Sequence, residues 1–467
     1  MSSQIRNPKS AIPFPLCQYT DYPISTRFGS SEAQALSSLK ESGIMHHFHY
    51  RGDELYCEDV PLREIASKVG TPAYIYSSAT LKQHFTVFDG AFSGMPHLTC
   101  YSVKANANLA ILGLFSALGG GADIVSGGEL YKARQAGIPA DRIVYSGVGK
   151  TSAEIDYALR EKILMFNIES TQELEAINSR AAAMKTKAGI ALRVNPDVDP
   201  KTHPYISTGL KKNKFGIDIE QALKAYKRAK ELDHIEILGI DCHIGSQLTE
   251  ISPFVEALNR LKMLIGRLRE NGIEIKYLDL GGGLGIAYNQ EEPPHPREYA
   301  QAVVQELSDL RCTLILEPGR VIVGNAGLLL TRVLYTKKTE SKEFIIVDAG
   351  MNDLVRPSLY GSYHGIQPME KKERASKIVD VVGPICESSD FIARERNLPE
   401  MCQGEFLAVM SAGAYGFSMS SNYNMRGRAA EVLVAGGRFH VTRERESWAD
   451  LTRGESIPEF VRGAKGL

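Results

Sequence analysis

Lys104 is the first residue of this chain whose position suggests chemistry. It follows the apolar run HLTCYSV (97–103) and sits in YSVKAN (101–106). Most lysines are solvated surface charges. A lysine at the end of a buried strand loses hydration, which lowers an ammonium pKa and predicts a nucleophilic amine. His243 and Ser246 fall together in HIGS (243–246). A lone histidine is more often a hydrogen-bonded core imidazole, but here the ring can stack on a flat ligand while the serine donates to a phosphate. The run Gly281–Gly283 follows IKYLDL (275–280) and offers backbone N–H groups unobstructed by side chains, which suits a phosphate. It could equally be a tight turn. A dinucleotide loop is a further alternative, though a poorer fit, because the sixth position of that pattern is Ile286. Glu317 and Arg320 in EPGR (317–320) read either as a surface ion pair or as site residues. A carboxylate facing a pyridine nitrogen keeps it protonated, and a pyridinium is the better electron sink. No set of His, Cys and carboxylates has metal-ligand spacing, so no metal is expected.

The elements that must position these residues are legible from residue 97 onward. Eight apolar, strand-like runs occur: HLTCYSV (97–103), ADIV (122–125), RIVYS (142–146), ILMFNI (163–168), IALRV (190–194), IEILGIDCH (235–243), IKYLDL (275–280) and CTLIL (312–316). Helical stretches such as QALKAYKRAKEL lie between them, and Ser126/Glu129, Thr151/Glu154 and Ser170/Glu173 have capping-box spacing. This alternation predicts an α/β fold, a (β/α)8 TIM barrel over 77–320, with a doubly wound sheet as the alternative. In a barrel the strand ends open onto one face. Lys104, Asp123 and Ser126, Arg193, His243 and Ser246, Gly281–Gly283, and Glu317 with Arg320 would then converge there. Beyond residue 321 the runs LLLTRVLY, EFIIVDAG, KIVDVVG, EFLAVMSAGAY and AEVLVAGGRFHVT predict a C-terminal antiparallel β domain over 321–467. The segment 45–76 is expected to join it. Residues 1–44, rich in Ser and Pro, read as an extension.

Bulk properties exclude several function classes. Of the 467 residues, 43% are hydrophobic and 23% charged, and the formal net charge is −1. No basic field exists to hold nucleic acid or an anionic membrane, and no apolar run is long enough to span a bilayer. The N-terminus lacks the layout of a secretory signal, so a cytoplasmic location is the default expectation. Seven widely spaced cysteines without a C-x-x-C motif argue against a disulfide framework and a zinc site.

Ten motifs in order also carry a family resemblance: YSVKAN, ADIVSGGEL, HPYISTG, KFGID, HIGSQ, LDLGGGLG, EPGR, RPSLYGSYH, CESSD and GAYGFSMSSNYN. The chain resembles the fold-type III pyridoxal-phosphate (PLP) decarboxylases, relatives of alanine racemase and eukaryotic ornithine decarboxylase. Within them it is most similar to the diaminopimelate decarboxylase branch. The last two motifs and RPSLY separate that branch from the others. The resemblance implies PLP as cofactor, held covalently by Lys104, with His243 stacked on its ring and Glu317 at its nitrogen. Asp123, Arg193, Ser246, Gly281, Gly282, Gly283 and Tyr415 are implied around the cofactor. Arg320, Arg356, Tyr360 and Tyr415 would face the substrate, the first three gripping the carboxylate that is not lost. Cys386 and Glu387 would come from the other subunit of a homodimer, Cys386 in catalysis and Glu387 at the distal amino group, and the stretch 203–214 would close over the site. The implied reaction converts meso-2,6-diaminopimelate to L-lysine and CO₂, the last step of lysine biosynthesis. Alternatives are decarboxylation of ornithine, arginine or carboxynorspermidine, a racemase, or a PLP-binding regulator. After SSNYN the chain reads Asn424-Met425-Arg426-Gly427 where the family often has an Arg-Pro.

Overall fold

The computed structural model describes residues 46–199 and 213–462. The expected extension 1–44, Cys17 and most of the expected closing loop, 203–212, lie outside the described residues.

Eight parallel strands form the barrel: His97–Ser102, Gly121–Ile124, Ile143–Tyr145, Met165–Ile168, Ala188–Asn195, Ile235–Asp241, Tyr277–Asp279 and Thr313–Leu316. Each pairs with the next, and the eighth closes on the first through Leu314↔His97. The strands read as continuous apolar runs because both faces are covered, by helices outside and by packed side chains inside. Cys100, Val144, Met165, Ala191 and Ile315 form an inner cluster of their own. Their strand neighbours Tyr101, Tyr145, Phe166, Leu192 and Leu316 belong to the large cluster shared with the helices. That period-two alternation fills the barrel with side chains instead of leaving a pore.

Of the three predicted capping boxes, only Thr151/Glu154 is reciprocal. Ser126 and Ser170 do accept from the N–H groups of Glu129 and Glu173. The glutamates, however, reach one residue further back, to the N–H groups of Val125 (2.7 Å) and Glu169 (2.8 Å). In the second case Lys150 holds the other carboxylate oxygen at 2.6 Å, which sets the side chain's direction.

The second sheet is built around the long strand Gly327–Lys338, which pairs with Ala73–Ser77, Glu343–Val347 and Phe406–Val409. It is mixed, not antiparallel as expected. Ala430–Ala435 runs parallel to Ala73–Ser77, and Glu343–Val347 runs parallel to Ser376–Val382. The N-terminal segment contributes in two pieces. Phe48–Arg51, Glu54–Cys57 and Val60–Pro61 make a separate three-stranded sheet. Its apolar side chains, with helix Leu62–Val69, pack on one face of the large sheet through Leu328, Leu330 and Met410. Only Ala73–Ser77 enters the large sheet itself, and all five of its residues are buried. Helix Ser78–Ala91 then leads into the barrel. Among the described residues no helix is long and apolar enough to cross a membrane.

Candidate active site

Lys104 lies in a 3-10 turn, Val103–Ala105, at the end of the first barrel strand. The turn is fixed from both sides. Tyr101 donates to the carbonyl of Asn106 at 3.0 Å, and the Asn106 amide donates to the carbonyl of Gly413 at 3.0 Å. The N–H of Tyr415 donates to the carbonyl of Ala105 at 2.8 Å. Tyr415 makes this contact with φ +56°, left-handed backbone that costs a non-glycine residue on the order of 1 kcal/mol. The β domain thus clamps the lysine turn through a strained residue that also faces the site.

The expected depression of the Lys104 pKa is not what the structure gives. Burial does work against the ammonium, but Asp123, Glu317 and Tyr415 outweigh it and hold the pKa above the ordinary lysine value. Lys104 Nζ donates to Asp123 Oδ2 at 2.9 Å, and the same oxygen accepts from Ser102 Oγ at 2.9 Å. Asp123 is fully buried, so it serves Lys104 from beneath and does not line the cavity. The amine is therefore held charged and oriented until a ligand displaces Asp123 as its partner.

Sequence reasoning missed how much acid lies below this lysine. Asp241, Asp279 and Glu317, at the ends of strands six, seven and eight, bring carboxylate oxygens within 4.8 Å of one another. All are nearly inaccessible. Burial, followed by their mutual repulsion, pushes Asp241 and Glu317 well above the usual carboxylate range. Asp279 is pushed up by burial to about 6, against the hydrogen bonds from Gly281 and Asn167. Glu317 Oε1 accepts from Ser146 Oγ and Asn167 Nδ2, both at 3.3 Å. A protonated Glu317 next to neutral donors gains its charge when a cation arrives beside it, as a ring N–H⁺ would. The signal for Asp241 and Asp279 was present in the sequence: a single aspartate at the end of each of two mainly apolar strands.

His243 is fully neutral. Burial, then the charges of Arg193 and Lys104, hold its pKa well below the usual value. Its Nδ1 accepts the N–H of Gly282 at 3.2 Å, which places the ring proton on Nε2. The N–H of Gly281 goes to Asp279 Oδ1 at 2.9 Å. Two of the three glycine N–H groups expected to face a phosphate are therefore engaged inside the protein. The glycines are needed for closeness. A Cβ on Gly282 would lie 2.2 Å from the carbonyl of Glu317, and one on Gly283 (φ +125°) would lie 2.6 Å from that of Gly245.

Lys104, Arg193, His243, Ser246, Arg320, Arg356, Tyr360 and Tyr415 all line one cavity of about 640 Å³, together with Ser146 and Tyr288. Arg193 is tied to Glu169 at 2.7 Å. Arg320 and Arg356 are different. Arg320 Nη1 donates to the Tyr288 hydroxyl at 2.7 Å, and Nη2 donates to Ser246 Oγ at 3.0 Å. Among the described residues neither guanidinium has a carboxylate at ion-pair distance. Cys386 and Glu387 are exposed on a turn held by Asp390 and are not among the residues lining the cavity.

These residues suit a pyridoxal phosphate: an amine, a flat neutral imidazole, a buried carboxyl and a glycine cradle that side chains would fill. Residues 78–324 match the family described as pyridoxal-dependent decarboxylase, pyridoxal binding domain. The chain is 54% identical to a diaminopimelate decarboxylase of Aquifex aeolicus, over 86% of this chain and 96% of that protein. It is 52% identical to that of Pseudomonas aeruginosa, over 88% and 99%. The chain belongs to the diaminopimelate decarboxylase family. Solved members of that family share its fold. The Helicobacter pylori diaminopimelate decarboxylase, crystallised with L-lysine, superposes with a TM-score of 0.82 at 44% identity, over 84% of this chain and 98% of that one. The M. jannaschii diaminopimelate decarboxylase, also with L-lysine, gives 0.86 at 41% identity, over 89% and 99%. This chain is accordingly a pyridoxal-phosphate enzyme with the TIM-barrel-plus-β-domain fold of these relatives.

Proposed function

We propose that the chain converts meso-2,6-diaminopimelate to L-lysine and CO₂, the last step of lysine biosynthesis, in the cytoplasm and as a homodimer. The carrying observation is the pair Arg320 and Arg356, two buried guanidiniums on the wall of the lysine cavity that meet hydroxyls and an imidazole. A buried charge without a counter-ion costs several kcal/mol, so the cavity favours a ligand that brings a carboxylate. Ornithine or arginine, once oriented for loss of its only carboxylate, offers none to this pair.

When bound, pyridoxal phosphate supplies the electron sink for breaking the Cα–carboxylate bond. Lys104 would be its covalent anchor, and Glu317 would hold the proton on its ring nitrogen. His243, kept neutral by burial, would face the ring, and Ser246, Gly283 and Tyr415 would hold the phosphate. Arg320, Arg356 and Tyr360 grip the retained carboxylate and so present the D-centre to Lys104. Cys386 of the partner subunit, or the Lys104 ammonium, returns a proton to Cα, while Glu387 of the partner subunit takes the distal ammonium.

Two results test this reading. In a comparison of kcat/KM for meso-diaminopimelate, L,L-diaminopimelate, lysine, ornithine and arginine, the meso compound should lead. Arg356→Ala should lower its value by roughly 10²-fold or more, since removing a charged donor to a buried carboxylate leaves that group unpaired. A lead for ornithine or arginine with the unaltered protein would overturn the substrate assignment. Separately, Glu317→Gln should lower kcat by about 10²-fold while cofactor affinity changes only a few-fold, because it weakens the electron sink and spares the phosphate contacts. An unchanged kcat would remove Glu317 from the ring nitrogen.

A further inference from the structure

The partners of the two guanidiniums form a pattern. Arg356 Nη1 meets His364 Nε2 at 3.0 Å. His364 is completely buried, and its Nδ1 lies 2.9 Å from the carbonyl of Met410. A carbonyl only accepts, so Nδ1 carries the ring proton and Nε2 presents a lone pair to the guanidinium. Burial, then the charges of Arg356 and Arg320, lower the His364 pKa to about 3, so the imidazole stays neutral. Tyr288 completes the arrangement. Its hydroxyl accepts from Arg320, its ring centroid lies 4.7 Å from the Arg356 guanidinium carbon, and it meets His364 in a T-shaped pair with ring centroids 5.4 Å apart. Each contact orients a guanidinium without cancelling its charge.

Resting on the reading that Arg320 and Arg356 grip the retained carboxylate, we propose that His364, backed by Tyr288, is the positioning residue that sets specificity for a dicarboxylate. Its neutral acceptor fixes Arg356 where an acidic partner would neutralise it. Buried arginines are ordinarily matched with carboxylates. An internal acid at this place would compete with the substrate for the same two donors.

The test uses the PLP-loaded enzyme and His364→Glu, His364→Gln and His364→Asn. Binding of L-lysine, which keeps the gripped carboxylate, is measured against 1,5-diaminopentane, which has the same two amines and none. His364→Glu should weaken L-lysine binding and raise KM for meso-diaminopimelate by about 100-fold, with kcat at saturation falling only several-fold and diamine binding unchanged or tighter. His364→Gln still reaches Arg356 with an acceptor and should stay within about 5-fold of the unaltered enzyme. His364→Asn keeps a donor for Met410 but falls short of Arg356, and should lose about 10-fold in lysine-over-diamine preference. A folded, cofactor-loaded His364→Glu that keeps its preference within about 3-fold overturns the proposal. If that variant does not fold, equal behaviour of the Gln and Asn variants overturns it. Arg356→Ala separates the two levels. If it leaves the preference for L-lysine intact, the reading of Arg356 fails. If it abolishes the preference while the His364 variants do not, only the role of His364 fails.

Discussion

Lys104→Ala is expected to lower kcat for meso-diaminopimelate by roughly 10⁴-fold or more, as removal of a covalent group typically does. The protein should remain folded. Asp123 loses its cation in this variant, but it still accepts from Ser102 Oγ at 2.9 Å. Borohydride reduction of the unaltered enzyme followed by peptide mapping checks the assignment directly. Among the described lysines, Lys104 alone lines the cavity. Lys132 is turned to the carbonyl of Ala107 and Lys150 is locked to Glu173. Cofactor found on either of those lysines would end the assignment.

The second large effect concerns a site shared between subunits. Cys386→Ala alone should lose most activity, and so should Lys104→Ala alone. Mixing the two inactive chains and allowing exchange should restore about a quarter of the unaltered activity. Half of the dimers are then mixed, and in each a two-fold axis gives one site both intact residues and the other site neither. The exposure of Cys386 and Glu387, on a turn that Asp390 holds through the N–H groups of Met351 and Ile385, motivates the test. A rigid turn that presents a thiol and a carboxylate to solvent suits insertion into a neighbour's cavity. Verified subunit exchange without recovery would show that each chain works alone.

The barrel was legible because its strands are buried on both faces and joined by helices, which leaves apolar runs separated by amphipathic ones. Lys104, His243, Ser246, Glu317 and Arg320 were legible for a related reason: a polar residue just past such a run has few places to be but the barrel mouth. What escaped was set by pairing across the chain. Strand Phe391–Pro399 carries Arg394, Glu395 and Arg396 in its middle and lacks the alternation that would betray it. The direction of Ala430–Ala435 against Ala73–Ser77 leaves no mark in either segment. Tyr288 and His364 were also invisible as site residues. One belongs to the loop after the glycines and the other to the end of RPSLYGSYH, and only the fold shows that both meet Arg356. The sign of the Lys104 pKa shift likewise depends on groups remote in sequence, the carboxylates of Asp123 and Glu317 and the Tyr415 hydroxyl.

The position of Ala73–Ser77 in the large sheet has a consequence for biosynthesis on the ribosome. Barrel strands pair almost entirely with their sequence neighbours, so the barrel can close as it emerges. Ala73–Ser77 cannot. Its two partners are Gly327–Lys338 and Ala430–Ala435. The second begins roughly 350 residues later, which at typical synthesis rates is a delay on the order of tens of seconds. Until Gly327–Lys338 emerges, a five-residue strand, every residue of which is buried in the finished protein, has both edges unpaired, and one edge stays open until Ala430–Ala435 follows. The growing chain is therefore most prone to mispairing at this N-terminal segment, and the hazard ends only when the C-terminal strands arrive to enclose it.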